Sequence, residues 1–143
     1  MPVLARDVMH ADPLSVVATT SFLELQHLLV VAHVSGVPVV DAGGAVVGIV
    51  SATDLVRAAD QLFDEDRDPD EPDDLADRFR TLTARDLATP EVVWVKPDTP
   101  VEQVAERMRT DGIHRVLVGD HGRLEGILTA YDLLQVVASR PSA

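Results

Sequence analysis

The chain has no cysteine, which excludes disulfides, thiolate nucleophiles and thiolate-bound metals. Aromatic residues are few, with one Trp, one Tyr and three Phe in 143 residues, and Lys96 is the single lysine. No apolar run approaches the roughly 18–20 residues of a membrane-spanning helix. Residues 1–9 lack the apolar centre of a signal peptide, so a cytoplasmic location without membrane attachment is expected. A net charge of −12 offers no basic field to a nucleic-acid backbone and argues against nucleic acid as a partner. What remains is a balance of 46% hydrophobic and 25% charged residues, ordinary for a globular chain of this length with a core to bury.

The negative charge is concentrated. Residues 60–77 hold ten carboxylates against Arg67, a local charge of −9, which leaves only −3 for the rest of the chain. The densest part, 64–74, also contains Pro69 and Pro72 and reads as a solvated acidic loop, with helix resuming near Leu75–Phe79. It lacks the glycine and closing glutamate of a calcium loop. His10, His27, His33 and His121 have no metal-ligand spacing and read as scattered surface or packing residues, so no metal site is expected.

Two stretches are versions of each other. Gly48-Ile49-Val50-Ser51-Ala52-Thr53-Asp54-Leu55 returns 78 positions later as Gly126-Ile127-Leu128-Thr129-Ala130-Tyr131-Asp132-Leu133. A repeat of this length implies one folding unit used twice. Ala5-Arg6-Asp7-Val8-Met9 matches Ala84-Arg85-Asp86-Leu87-Ala88. Apolar stretches follow at Leu14–Val17 and Val92–Val95, then helix starts at Ser21-Phe22-Leu23-Glu24 and Thr99-Pro100-Val101-Glu102, both read as capping boxes. The helices run to about His33 and Asp111. Two hairpins come next: 37–40 with 45–50 across Asp41-Ala42-Gly43-Gly44, and 115–118 with 123–128 across Gly119-Asp120-His121-Gly122. Closing helices begin at Asp54 and Asp132. The expected fold is mixed α/β (α+β): two β-α-β-β-α repeats packed by pseudo-two-fold symmetry into one module, with repeat one at 1–60, the connector at 61–80 and repeat two at 81–143.

In each copy a strand ends on a hydroxyl residue, Ser51 or Thr129, with an aspartate three positions on, Asp54 or Asp132. Two readings stand side by side. The pair is a capping box that stabilises a strand-to-helix turn by itself. Equally, the carboxylate accepts a ligand's hydroxyls while the hydroxyl residue and the free helix N–H groups face an anion.

The order of elements, with Gly-x-x-[Ser/Thr]-x-x-Asp closing each unit and Gly112-Ile113-His114-Arg115-Val116-Leu117-Val118 in the second, resembles a tandem pair of CBS (cystathionine β-synthase-type) domains over nearly the whole chain. The resemblance implies a regulatory, ligand-sensing module with no catalytic cofactor, binding an adenosine-containing ligand (AMP, ADP, ATP or S-adenosylmethionine, in some members NAD) in clefts between the repeats. It also implies a homodimer and an as yet unknown regulated protein. Asp54 and Asp132 would hold ribose, and Ser51 and Thr129, with Thr53 and Tyr131 beside them, would flank it. His114 and Arg115 would neutralise phosphate, a task that suits the planar guanidinium. Gly36, Val37, Pro38 and Ile113 would line an adenine slot, although they serve equally well as core. Trp94 would stack on a base or pack. In the alignment by motif, Ser35-Gly36-Val37 stands where Ile113-His114-Arg115 stands, so the first repeat lacks the phosphate anchors and binding is expected to be asymmetric. No catalytic constellation is visible, so the chain is not expected to be an enzyme. The competing expectation is a protein-interaction and dimerisation module with no physiological small ligand.

Overall fold

The computed structural model describes residues 2–64, 79–120 and 122–139. Most of the acidic connector and His121 lie outside the described residues. In chain order the elements are α1 (Ala5–Val8), β1 (His10–Ala11), β2 (Val16–Val17), α2 (Phe22–Ala32), β3 (Gly36–Val40), β4 (Val46–Ser51), α3 (Ala52–Asp64), α4 (Ala84–Leu87), β5 (Trp94–Val95), α5 (Val101–Asp111), β6 (Arg115–Asp120), β7 (Arg123–Thr129) and α6 (Ala130–Ser139). The fold is mixed α/β with two sheets, as the sequence predicts.

The chain divides into two compact units whose boundaries cut across the sequence repeats. One unit is Leu14–Glu91; the other joins Met1–Pro13 to Val92–Ala143. The opening segments of the repeats are exchanged: residues at the start of the chain pack with the second hairpin, and 84–91 pack with the first.

In the unit formed by Leu14–Glu91 the strand order is β2-β3-β4, with β2 parallel to β3 and β3 antiparallel to β4. Thr89 extends the far edge of β4 through a pair of backbone bonds with Ile49, 2.9 and 3.0 Å long. Helix α2 lays Phe22, Leu25 and Leu29 on the sheet against Val37, Val39 and Val50, and Leu55, Ala58 and Ala84 close the core. These positions on α2 recur every three or four residues, one face of a helix. The ring of Phe22 meets that of Phe79 at 4.8 Å between centroids, a tilted contact favoured by the ring quadrupoles.

The other unit repeats the plan with strand order β1-β7-β6-β5. Here β1 pairs antiparallel with β7, setting His10 opposite Ile127, as Thr89 stands opposite Ile49. Val104 and Met108 of α5 pack on Val116, Val118 and Leu128, and Ala5 fills the same place as Ala84.

The close approach of the exchanged segments explains the glycine of the repeated motif. A Cβ on Gly48 would lie 2.7 Å from the Thr89 carbonyl oxygen and 2.9 Å from the Ala88 Cβ. On Gly126 it would collide with the Met9 Sδ and come within 2.9 Å of the His10 carbonyl oxygen. Only glycine lets the edge segment seat at full hydrogen-bond distance.

Hairpin register corrects the alignment of the repeats. Residues 40–47 separate Val39 from its partner Gly48, whereas the shorter stretch 119–125 separates Val118 from Gly126. The first loop is a residue longer, so the offset is 78 only after the hairpin and 79 before it. Its extra length is accommodated by Asp41, whose Oδ1 accepts from the backbone N–H of Gly43 and Ala45 at 2.9 and 3.0 Å, a side-chain-built turn.

This shift overturns the second capping box. Ser21 does cap α2: its Oγ accepts from the Glu24 N–H at 3.2 Å and the Glu24 carboxylate accepts from its own N–H at 3.3 Å. Its structural counterpart is Pro100, the N-cap of α5, which makes no side-chain cap bond. The next N–H is treated alike in both units: the Val3 carbonyl takes that of Val101 at 3.0 Å and the Leu82 carbonyl that of Phe22 at 3.1 Å.

Candidate functional site

Among the described residues, each unit has a strand that runs directly into a helix at a corner. Ser51 ends β4 and Thr129 ends β7, and Asp54 and Asp132 lie in the first turns of α3 and α6. The inner halves of the two corners match. Asp54 Oδ2 accepts from the Ser51 N–H at 2.7 Å and the Ser51 hydroxyl at 2.9 Å. Asp132 Oδ2 accepts from the Thr129 N–H at 2.8 Å and the Thr129 hydroxyl at 3.0 Å. In return each hydroxyl oxygen accepts from the aspartate's own N–H at 3.3 Å. The capping-box reading is therefore realised at both corners, and it consumes one carboxylate oxygen at each.

The other oxygen decides what a corner can do. Asp132 Oδ1 lies 2.9 Å from His10 Nε2, and an ionised carboxylate only accepts, so Nε2 is the donor. Asp54 Oδ1 meets the Thr89 hydroxyl at 3.5 Å and Arg57 Nη1 at 3.7 Å, both loose contacts. His10 and Thr89 hold equivalent places on the exchanged segments. His10, expected to be a surface or packing residue, is exposed as a surface residue and in addition touches the buried aspartate. The signal was present in the match of Ala5-Arg6-Asp7 with Ala84-Arg85-Asp86, which continues to His10 and Thr89.

The residues beside the corners differ in charge. Arg115 starts β6 directly opposite Thr129, and the His114 carbonyl accepts from the Ala130 N–H at 2.8 Å. In the other unit Gly36 stands opposite Ser51, and the Ser35 carbonyl accepts from the Ala52 N–H at 2.9 Å. The counterparts of His114-Arg115 are therefore Ser35-Gly36, a residue earlier than the motif alignment places them. The conclusion that the first repeat has no cationic pair at this position is unaffected.

Several sequence candidates have structural placements. Val37 and Pro38 have fully buried side chains and belong to the core. Ile113 packs against the second core, half-buried. Thr53 and Tyr131 point outward from the first turns of α3 and α6, Tyr131 with 67% of its surface exposed. Trp94 lies against β6, where a Cβ on Gly119 would come within 2.9 Å of its ring, the packing alternative of its two readings. Among the described residues no group of three or more His, Asp or Glu is placed to hold a metal ion, and no helix is long and apolar enough to cross a membrane.

The family model for the CBS domain matches residues 5–61 and 84–139, one match per repeat. The chain belongs to the CBS domain family. Among relatives of this CBS-domain chain is an L-aspartate semialdehyde sulfurtransferase of Methanocaldococcus jannaschii, 25% identical over 138 residues that cover 96% of this chain but 24% of that protein. The CBS domain pair of protein MJ0100, solved in complex with 5′-methylthioadenosine and S-adenosyl-L-methionine, superposes with a TM-score of 0.79 at 25% identity, covering 99% of this chain and 100% of that one. CBSX2 in complex with AMP superposes with a TM-score of 0.74 at 28% identity, covering 94% and 96%.

Proposed function

We propose that this CBS pair is a regulatory module, not a catalyst, that binds an adenosine-containing ligand at its Asp54 and Asp132 corners and passes the binding event to a partner. The observation that carries this reading is the split use of each carboxylate. One oxygen builds the turn, and the second is left outside it at the start of a helix, where ribose hydroxyls find an acceptor. The two similar CBS pairs solved with adenosine derivatives support the ligand class. Ser51 and Thr129 orient the aspartates, and Thr53 and Tyr131 flank them. His114 and Arg115 would favour phosphate at the Asp132 corner, whereas the Gly36 side of the Asp54 corner suits a less charged group. Val37, Pro38 and Ile113 would contribute backbone and apolar support. Differential affinity for two states of the module would supply the signal.

A second reading, an interaction module, is favoured by exposed apolar residues on the helices. Leu23, Val30, Val31 and Val56 stand out on α2 and α3, and Leu134 and Val137 on α6. These faces also suit a homodimer, and this reading differs from the first in having no physiological small ligand.

A thermal-shift panel with AMP, ADP, ATP, S-adenosylmethionine and NAD tests the ligand reading on wild type, Asp54→Asn and Asp132→Asn. A ligand at 100 times its Kd should add about 2.7 kcal/mol, and the aspartate substitutions should remove that gain. If no adenosine compound stabilises wild type, the interaction module becomes the better account.

A further inference from the structure

We propose that His10 is the gate of the Asp132 corner, so that a ligand hydroxyl reaches Asp132 only when the imidazole turns out to solvent. The inference rests on reading the corners as hydroxyl-binding sites. After the capping box is satisfied, Asp132 Oδ1 is the oxygen left to accept, and His10 Nε2 occupies it at full hydrogen-bond distance, 2.9 Å. The carboxylate side chain is only 6% exposed while that of His10 is 69% exposed.

The histidine can move without cost to the core. It sits on the two-residue edge strand β1, whose backbone is pinned to Ile127 and Gly126 of β7. Rotation about its side-chain torsions leaves those bonds intact. The equivalent Thr89 cannot act the same way: its shorter side chain reaches Asp54 Oδ1 only at 3.5 Å. The Asp132 corner is therefore gated, whereas the Asp54 corner, with only the Thr89 hydroxyl at 3.5 Å and Arg57 Nη1 at 3.7 Å from its Oδ1, is comparatively open.

A closed gate lowers apparent affinity by the fraction of molecules in which it is open. Because the imidazole is largely exposed to solvent, the bond contributes no more than a typical one, about 0.5–1.5 kcal/mol net, so removing it should tighten binding by roughly 2- to 12-fold.

The test is equilibrium titration of the whole chain with AMP and, separately, S-adenosylmethionine, in an Asp54→Asn background that disables the other corner. The amide introduced by that substitution keeps an oxygen for the Ser51 turn and turns a donor toward any ligand. Adding His10→Thr, the residue of the open corner, or His10→Ala should tighten AMP by roughly 2- to 12-fold. Binding of 2′,3′-dideoxy-AMP, which makes no demand on Asp132 Oδ1, should not change. A merely structural effect of His10 would move both ligands together. Unchanged AMP affinity in both His10 variants, or weaker binding in either, overturns the gate while leaving the corner a ligand site. If Asp132→Asn does not weaken binding, or neither ligand binds any variant, the hydroxyl-site reading falls and the gate falls with it.

Discussion

The Asp54 and Asp132 corners share their inner contacts to within about a tenth of an ångström and differ in the side chains around them. Inside, four consecutive residues dictate the geometry: a hydroxyl at the strand end and a carboxylate three positions on close the same box in both copies. Outside, apart from Arg57 beside Asp54, the neighbours come from segments far away in the chain. Asp132 receives a histidine from residue 10 and lies beside the Arg115 strand start, whereas Asp54 receives a distant threonine and a glycine strand start. A duplicated module can thus keep its frame and diverge in chemistry by changing positions that the motif does not contain.

Three substitutions in each unit sharpen or break this equivalence. The largest losses are expected at Leu25 and Leu128, both fully buried. Leu25→Ala and Leu128→Ala should each cost about 2–5 kcal/mol in urea unfolding. A loss near zero for one would show that the two cores do not carry comparable weight. Next come the motif glycines. Gly48→Ala and Gly126→Ala should cost about 1–3 kcal/mol each by overpacking. Gly48→Ala should be the worse, because its Cβ meets the Thr89 carbonyl at 2.7 Å while much of the crowding at Gly126 comes from the pliable Met9 thioether. Equal losses would mean that Met9 does not yield. The smallest contrast lies at the helix starts: Ser21→Ala should lose about 1 kcal/mol, and Thr99→Ala should stay within about 0.5 kcal/mol. A full capping loss at Thr99 would restore the symmetry that the register denies.

Much of this was legible from residues alone. The repeated octapeptide placed both corners, and turn residues placed both hairpins to within a residue or two. Two misreadings share one cause. A single extra residue in the Asp41–Ala45 loop shifts the offset from 78 to 79, and alignment by the motif alone carried the wrong offset back to Thr99 and to the counterparts of His114-Arg115. Nothing in Thr99-Pro100-Val101-Glu102 betrays the error, because the pattern satisfies the capping rule. What decides against it is where the helix starts: Pro100, not Thr99, is the N-cap of α5 and has no side chain that can cap. His10 escaped for a similar reason: no local spacing links it to Asp132, 122 positions away.

The sequence by itself determined the repeat, its longer helices and hairpins and the inner half of each corner, because those depend on contacts between residues a few positions apart. The exchange of opening segments, the need for Gly48 and Gly126, and the pairing of His10 with Asp132 were decided only by the tertiary structure. They depend on which strand edge each segment finds, and that choice is made by backbone pairing and close packing between distant parts of the chain.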